Sequence, residues 1–506
     1  MVLNLILQYF NNSVKHIICF DIFKYSTYSH MPLIRTNFKR KIFIPVLSGI
    51  ILLGSLNLVQ AQLVSFPKPP SLDTLKRDLF PDTIRKKHFG RASLFLGIAE
   101  LTPFIYDRYI VQADFAMISW SSTAHNLKPG SWEFDDDEFT TNQFGHPYHG
   151  SLFYSSFRAN GYSFWQSATA AATGSYLWET FAEKQPPSPN DFINTTFGGT
   201  IIGEMTYRLS NKIINNTTTG FKRQANEVLA FLINPMNGLT RITDGRWGKV
   251  NTNPALRDSS KISGQLDFGF REYNVDNNNP FQSNNKGWYL HAKLIYGDPD
   301  EGYEKPFSNF MVNAEIGKDD STALNIVSIY GSLTGWELKS NDNQQQLLIL
   351  SANYDYIHNA AFFYGGQSVK LNLFSKYKID NGMFINTAFG LGGVLLGGVP
   401  DPYMYKGRNY DYESGLAFNA GGTIAVDHKL YYSINYRGAW TWTINGNKSS
   451  YLLHNITNEL SYFVIKDIAL VAEAGYFRLN GNYSNFADID RKYPYFKAAV
   501  RYNVDF

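Results

Sequence analysis

The feature that most constrains this chain is a period-two alternation of apolar and polar residues, repeated about every twenty residues from Ile262 to Phe506. Successive side chains of a strand point to opposite faces, so each segment has one apolar and one polar face. In the last segment Tyr502, Val504 and Phe506 share the apolar face, and Arg501 lies on the other. The repetition predicts a large sheet with one face suited to lipid.

About twelve such segments can be counted, an even number that suits a single-chain antiparallel barrel. An open sheet edge would leave unpaired backbone groups in hydrocarbon, so we expect the sheet to close on itself. Residues 246–506 are therefore predicted to form a transmembrane antiparallel β-barrel. Its strands are expected to begin near residues 262, 287, 308, 324, 345, 365, 383, 413, 429, 452, 467 and 493.

The three apolar residues Tyr502, Val504 and Phe506 at the C-terminus resemble the C-terminal signal of outer-membrane barrel proteins. This resemblance implies recognition by the barrel-insertion machinery and contact with the outer-membrane lipid of a Gram-negative cell. The alternative is a soluble β-domain that happens to end in phenylalanine. The alternation, the aromatic residues and the targeting segment described next favour the barrel.

The targeting segment is predicted at residues 31–61 rather than at the first residue. A basic stretch precedes an apolar run over 42–59, and small residues up to Ala61 fit signal-peptidase cleavage. An uncleaved anchoring helix is the alternative. Residues 1–30 are then interpreted as an upstream extension from a misassigned start codon. That extension holds Cys19, the only cysteine, so we expect no disulfide, thiolate metal site or lipid-modified cysteine in the mature chain.

The region between the targeting segment and the barrel divides into two parts. Residues 62–90 are polar and proline-rich, which is typical of a linker. From residue 91 the apolar period becomes helical, so residues 91–245 are predicted to form a compact helical domain and the chain an α+β protein. Its helices are expected at about 91–116, 147–159, 162–184, 190–214 and 221–233. With 46 Lys and Arg against 43 Asp and Glu and no long basic run, nucleic acid is not an expected partner.

Two predicted helices carry stripes of small residues. Ala168 and Ala172 recur at helical spacing on one helix, and Thr195, Gly199 and Gly203 recur every four residues on the next. Glycine in a helix interior costs ~1 kcal/mol relative to alanine, so such positions usually permit close approach of two backbones. We expect these residues to pack helix against helix.

Polar residues of the helical domain form the candidate site. His146 and His149 lie three residues apart at a helix start, and Glu179 and Asp191 come from the two following helices. Such a set could bind a divalent metal or activate water. Pro147 argues against a regular two-histidine metal motif, and no catalytic sequence motif is present. A buried polar network is the favoured alternative; the metal is left unknown and no cofactor is predicted.

Several motifs of the helical region resemble the domain of unknown function 3943 family over roughly residues 90–245. The resemblance implies a cell-envelope protein of Bacteroidota-like bacteria, with a barrel after the helical domain and no known activity. The motifs lie at Gln143–Gly150, Asn160–Trp165, Trp178-Glu179, Pro187–Asp191, Gly198-Gly199, Gly203-Glu204 and Asn234–Arg241.

A shorter set of residues is similar in order to VanZ-like helical membrane proteins. It implies shared helix packing only. The residues are His146, Glu179, Asp191, Asn194, Gly199 and Gly203.

We therefore expect an outer-membrane barrel with a helical plug or cap domain and an envelope structural, assembly or small-solute role. A lumen of twelve strands is narrow enough for a plug or side chains to obstruct. The alternative is a lipid- or envelope-modifying enzyme that uses His146, His149, Glu179 and Asp191. The sequence favours the non-enzymatic role and leaves the oligomeric state open.

Overall fold

The computed structural model describes residues 86–250, 260–274, 285–300, 303–318, 323–359, 362–380 and 382–505. The predicted extension 1–30, the signal peptide 31–61 and most of the predicted linker lie outside these residues. So do Cys19 and Phe506, whereas Tyr502 and Val504 lie on the last strand. The domain boundaries drawn from the sequence stay predictions.

The C-terminal region is a closed antiparallel barrel in which each strand pairs with its neighbours in sequence and the last pairs with the first. The prediction of a barrel of about twelve strands is confirmed. The strands are β1 (Ile262–Tyr273), β2 (Asn285–Tyr296), β3 (Phe310–Gly317), β4 (Leu324–Asn341), β5 (Gln344–His358), β6 (Phe363–Lys378), β7 (Met383–Tyr405), β8 (Arg408–Val426), β9 (Leu430–Asn445), β10 (Ser449–Ile465), β11 (Ile468–Tyr483) and β12 (Ile489–Asp505).

Every strand begins within about five residues of its predicted start, the largest difference being at β8. The two segments with the weakest alternation, β4 and β7, are both strands. Glycines at 390, 392 and 393 blur the pattern of β7, which is nevertheless a strand of 23 residues. At Gly392 a side chain would meet the backbone of β6 at 1.9 Å, so the glycine permits close strand packing.

The two faces of the sheet differ as the alternation predicts. Apolar side chains such as Phe268, Leu371 and Trp440 are exposed on the outer face. The inner face is polar, and Arg437 on β9 donates to the carboxylate of Asp355 on β5 at 2.7 Å. Since β5 and β9 are not neighbours in the sheet, this ion pair crosses the lumen.

Eight α-helices precede the barrel within the described residues, together with short π-helical and 3₁₀ turns. None of these helices combines the length and the apolar character needed to span a bilayer. The helices are α1 (Phe89–Ile105), α2 (Trp120–Asn126), α3 (His146–Arg158), α4 (Phe164–Phe181), α5 (Pro189–Ile193), α6 (Gly199–Ile214), α7 (Gly220–Ile233) and α8 (Pro235–Thr243).

The helix boundaries differ from the predicted ones where the turns are irregular. The helix predicted over 190–214 is divided into α5 and α6 by a π-helical turn at Asn194–Gly198. The short helices α2 and α8 were not predicted. Both begin at a side chain that accepts a backbone N–H, Ser119 for α2 and Asn234 for α8.

Polar contacts join the helical domain to the barrel. The side-chain amide of Asn142 donates to the hydroxyl of Tyr410 on β8, and that of Asn190 donates to Tyr412, both at 2.7 Å. Tyr410 and Tyr412 lie on either side of Asp411, whose carboxylate accepts from Tyr451 on β10 across the lumen. Because neighbours on a strand face opposite ways, both tyrosines point away from the lumen.

A second contact has the same geometry on β5. The hydroxyl of Tyr354 donates to the backbone carbonyl of Gln143 at 2.5 Å. The β5–β6 register is unbroken, with Tyr354 opposite Gln367 and Leu350 opposite the exposed Leu371. Tyr354 therefore belongs to the apolar outer face. One part of this face is exposed, and the part that contains Tyr354 is covered by the helices.

Candidate functional site

Three of the four predicted site residues converge. His146 is the first residue of α3, Glu179 lies near the end of α4 and Asp191 lies in α5. Each offers one ligand atom, and these three atoms all lie within 4.8 Å of one another. His146 Nε2 lies 3.3 Å from Asp191 Oδ1. We call His146, Glu179 and Asp191 the triad.

Neighbouring groups orient each member of the triad. The hydroxyl of Thr195 lies 3.4 Å from His146 Nδ1. The backbone N–H of Ser188 donates to Glu179 at 2.8 Å, and the side chain of Ser188 caps α5, which begins at Pro189. Such supporting contacts fix ring and carboxylate orientation, as they do around metal ligands.

A third carboxylate, Asp135, lies beside the triad and was not singled out in the sequence. Its Oδ1 accepts hydrogen bonds from Asn142, Asn190 and Tyr412 at 2.9–3.0 Å. One donor comes from the barrel, so Asp135 links the triad to β8. The only sequence signal was that Asp135 belongs to an acidic loop.

The electrostatics of the cluster are set by burial. Burial, together with the charge of Asp135, raises the pKa of Asp191 well above its usual range. Burial and the charge of Glu183 do the same to the pKa of Glu179. The pKa of Asp135 is lowered although burial alone would raise it, because Asp191 and Tyr412 donate to the carboxylate. The pKa values of the two neighbouring carboxylates thus shift in opposite directions, as expected for groups that compete for a proton.

His149 does not join the triad. Its Nε2 lies 3.1 Å from the carbonyl oxygen of Ala99, and its ring packs against Phe153 and Trp178. Burial lowers the pKa of His149 to about 4, so the ring is neutral at pH 7. His149 is a packed core histidine in this structure.

A separate buried network is balanced in charge. Glu204 accepts from both Arg158 and Arg208, each at 2.7 Å, and from the hydroxyl of Tyr154 at 2.7 Å. Burial would raise the pKa of Glu204, but the two guanidinium groups lower it. This network connects α3 to α6 and offers no free ligand atom.

The small residues lie at different depths between the helices. A side chain at Gly199 would meet the backbone of Gly150 at 2.5 Å, so α6 and α3 approach backbone to backbone there. Gly203 lies similarly close to the ring of Tyr154. On α4, Ala168 and Ala172 are only half-buried. The most deeply buried small residues of that helix include Ser167, Ala171 and Ser175.

The triad has the composition of a site for a divalent cation. One imidazole and two carboxylates are nitrogen and oxygen ligands that Zn²⁺ accepts. Within the described residues, neither Glu179, Asp191 nor Asp135 forms an ion pair with Lys or Arg. Buried carboxylates without a cation are costly and bind protons instead. The cluster can therefore hold either protons or a metal.

Residues 131–236 match the family model described as "Domain of unknown function (DUF3943)". This match confirms the expected resemblance to that family over these residues, which are about a fifth of the chain. The triad, Asp135 and most of the helices that position them lie within the matched residues. The similarity to VanZ-like proteins was not found, and none of the curated proteins matches this chain.

Solved structures with some likeness to this chain are barrels. The NanC porin is 9% identical with a TM-score of 0.29, covering 46% of this chain and 98% of its own. The KdgM porin is 12% identical with a TM-score of 0.24, covering 47% and 98%. OmpT of Vibrio cholerae is 10% identical with a TM-score of 0.24, covering 49% and 99%. Likeness this weak gives no guide to function.

Proposed function

We propose that this protein is an outer-membrane barrel that holds its DUF3943 domain against the outer wall of the barrel. In this proposal the barrel is a membrane platform and not an open pore. The observation that carries it is the contact of the domain with Tyr354, Tyr410 and Tyr412, which share the outer face of the sheet with the exposed apolar residues. The proposed position is an alternative to the plug or cap that was expected from the sequence.

The contents of the lumen support a platform. Ion pairs cross it between strands that are not neighbours: Lys497 on β12 contacts Glu315 on β3 at 2.8 Å, and Arg501 on β12 contacts Glu459 on β10 at 2.8 Å. Lumenal side chains therefore obstruct much of a barrel of this size without help from another domain. We expect the purified protein to show no steady conductance in a planar lipid bilayer.

The outer side of the helical domain supports a position beside lipid. On α1, Leu94, Ile98, Leu101 and Ile105 recur at helical spacing and are all exposed, Leu94 by 60%. An apolar stripe of this kind suits a helix that lies at a membrane surface. Where the domain covers the barrel wall, the stripe on α1 would contact the lipid instead of the wall.

Disulfide cross-linking tests the position of the domain. A Cβ built at Gly365 lies 2.6 Å from Gln143 Cβ, so the two backbones are close enough for a disulfide once they separate by about 1 Å. Since Cys19 is the only cysteine, a Cys19→Ser background gives a clean experiment. We expect the pair Gln143→Cys and Gly365→Cys to form a disulfide in membranes without added catalyst.

The matched control uses Ser368→Cys with Gln143→Cys, because Ser368 lies on the same strand but borders the lumen. We expect no cross-link for that pair. Efficient cross-linking to Ser368 and none to Gly365 would restore the plug and reject the outer-wall position.

A second candidate function, a metal-dependent lipid- or envelope-modifying enzyme, is favoured by the convergence of the triad. It predicts that purified protein binds about one equivalent of Zn²⁺ after removal of other metals, and that Asp191→Asn abolishes this binding. Replacing His146 and Glu179 with Ala should then change the envelope lipid composition while the barrel still assembles. Loss of assembly alone would leave only the structural role.

A further inference from the structure

The barrel lumen contains a cavity of about 90 Å³ that is separate from the triad. A cavity of this volume has room for more than a single water molecule. Its wall is formed mainly by β5, β6 and β9 to β11. The side chains that line it include Asp355, Phe362, Lys370, Arg437, Leu453 and Phe477.

The charged part of the cavity has an excess of one positive charge. Two cations, Lys370 and Arg437, and one carboxylate, Asp355, line it. Asp355 is already satisfied, because it accepts from Arg437 and from Ser328, each at 2.7 Å. Along the described strands, no hydrogen bond or ion pair ends on the ammonium of Lys370, although this residue is only 8% exposed. A nearly buried cation without a partner is energetically costly, so the binding of an anion beside it is favoured.

The remaining lining is apolar and partly aromatic. The rings of Phe362 and Phe477 stack at 5.8 Å between centroids with 23° between their planes. Leu453 and Val394 are buried beside them. One part of the cavity therefore favours an apolar or aromatic group, whereas another part favours a negative charge.

We propose that this cavity binds a small organic carboxylate with an apolar or aromatic body. The carboxylate contacts Lys370 and the free guanidinium N–H groups of Arg437, while the body packs against Phe362 and Phe477. Charge-assisted hydrogen bonds to a partly dry ammonium discriminate strongly between an acid and its neutral amide. The proposal rests on the barrel fold and is independent of where the helical domain lies.

The test on the wild-type protein compares probes that differ in one group. Calorimetric titration of the full mature protein in detergent would use phenylacetate, phenylacetamide, acetate and phenethylammonium. We expect phenylacetate to bind at least tenfold more tightly than each of the others, with affinity falling as salt rises. Equal binding of phenylacetate and phenylacetamide would overturn the charge requirement, and no binding of any probe would overturn the site.

Substitutions then locate the site. Lys370→Met keeps the length of the side chain and removes the charge, and we expect phenylacetate affinity to fall at least tenfold while Lys370→Arg retains it. Lys293→Met is the matched control, because Lys293 is a lysine that borders a different cavity in the barrel. Equal losses in Lys370→Met and Lys293→Met would show that only the general lumenal charge matters and would reject the assigned site. Because the wild-type comparison needs no variant, a poorly folding substitution does not block the test.

Discussion

The barrel lumen and the helical domain both bury charged side chains, but they neutralise them differently. In the lumen, Arg501 contacts both Asp267 and Glu459 within 2.8 Å, so each carboxylate has a guanidinium partner. In the helical domain, Glu179 and Asp191 gather around a single histidine. Asp267 and Glu459 are thus neutralised by a fixed partner, whereas the triad depends on protons or a metal.

Paired charges such as those of Arg501 and Asp267 stabilise the fold. The carboxylates of the triad remain available to bind a proton or a metal. Removing one partner of a balanced buried pair strands the other charge, which usually costs several kcal/mol. Removing one carboxylate from a crowded acidic cluster relieves repulsion. The four predictions below are ordered by expected effect, and each one can break or sharpen the contrast.

The largest effect is expected for Arg501→Met in the lumen. The substitution leaves the buried Asp267 and the half-buried Glu459 without their guanidinium, so the free energy of unfolding should fall by about 3–5 kcal/mol. Urea unfolding in lipid vesicles measures it. A double substitution that also replaces Asp267 with Asn should recover part of the loss. A loss below ~1 kcal/mol would mean that lumenal charges are not the fixed partners that the contrast requires.

The next effect concerns backbone packing, which uses no charge at all. A Cβ at Gly150 would lie 1.9 Å from the carbonyl oxygen of Thr195, so Gly150→Ala should destabilise the helical domain by about 1–3 kcal/mol. Gly97→Ala on α1 is the control, since nothing lies within 4 Å of its built Cβ. We expect the control to leave stability unchanged or to raise it by up to ~1 kcal/mol in thermal melts. Equal effects of the two would contradict the close approach of α3 to its neighbour.

A pH dependence should distinguish the helical domain from the barrel. Burial raises the pKa of Glu100 from 4.5 to about 8, and its Oε1 has no hydrogen-bond partner in the described residues. Between these pH values the folded state keeps a proton that the unfolded state has released, so this stability is present below about 4.5 and is lost as pH rises towards 8.

The measurement is the urea midpoint of the helical-domain transition between pH 5 and pH 8.5. Glu100→Gln should flatten the decline, by at most ~1.4 kcal/mol for each pH unit. An identical decline in both proteins would mean that another group causes it.

The smallest effect has the opposite sign. Asp191→Asn removes one of the crowded carboxylates and keeps its shape, so in the presence of a chelator we expect the free energy of unfolding to rise by up to ~1 kcal/mol. Thermal melts at pH 8, where repulsion is greatest, measure it. Destabilisation as large as that of Arg501→Met would show that Asp191 belongs to a balanced network like the lumenal ones.

The barrel could be predicted closely from the sequence because the alternation within each strand shows which side chains face outwards and which face the lumen. Residues such as Phe268 and Trp440 lie on the outer face because alternation is a local property of the chain. The longer helices could be located, whereas the two short helices that begin after the caps Ser119 and Asn234 could not. The π-helical turn at Asn194–Gly198 could not be predicted either, because its pattern of apolar residues resembles that of an α-helix.

The candidate site could be predicted only in part. His146, Glu179 and Asp191 are polar residues in apolar helices, which made them visible, but nothing in the sequence distinguished His149 from them. Asp135 was hidden among other acidic residues of its loop. Its importance comes from Tyr412, which is 277 residues away and becomes a neighbour only through the tertiary fold.

The contacts between the two regions have a consequence for the order of assembly. The bonds from Asn142 to Tyr410 and from Asn190 to Tyr412 join residues 268 and 222 positions apart. Contacts of such long range carry a high loop-closure cost and are slow to form. The helical domain emerges from synthesis first, yet the surface it docks on does not exist until β8 has joined its neighbours. Its docking residues must therefore stay exposed and unaggregated while most of the sheet is still being assembled.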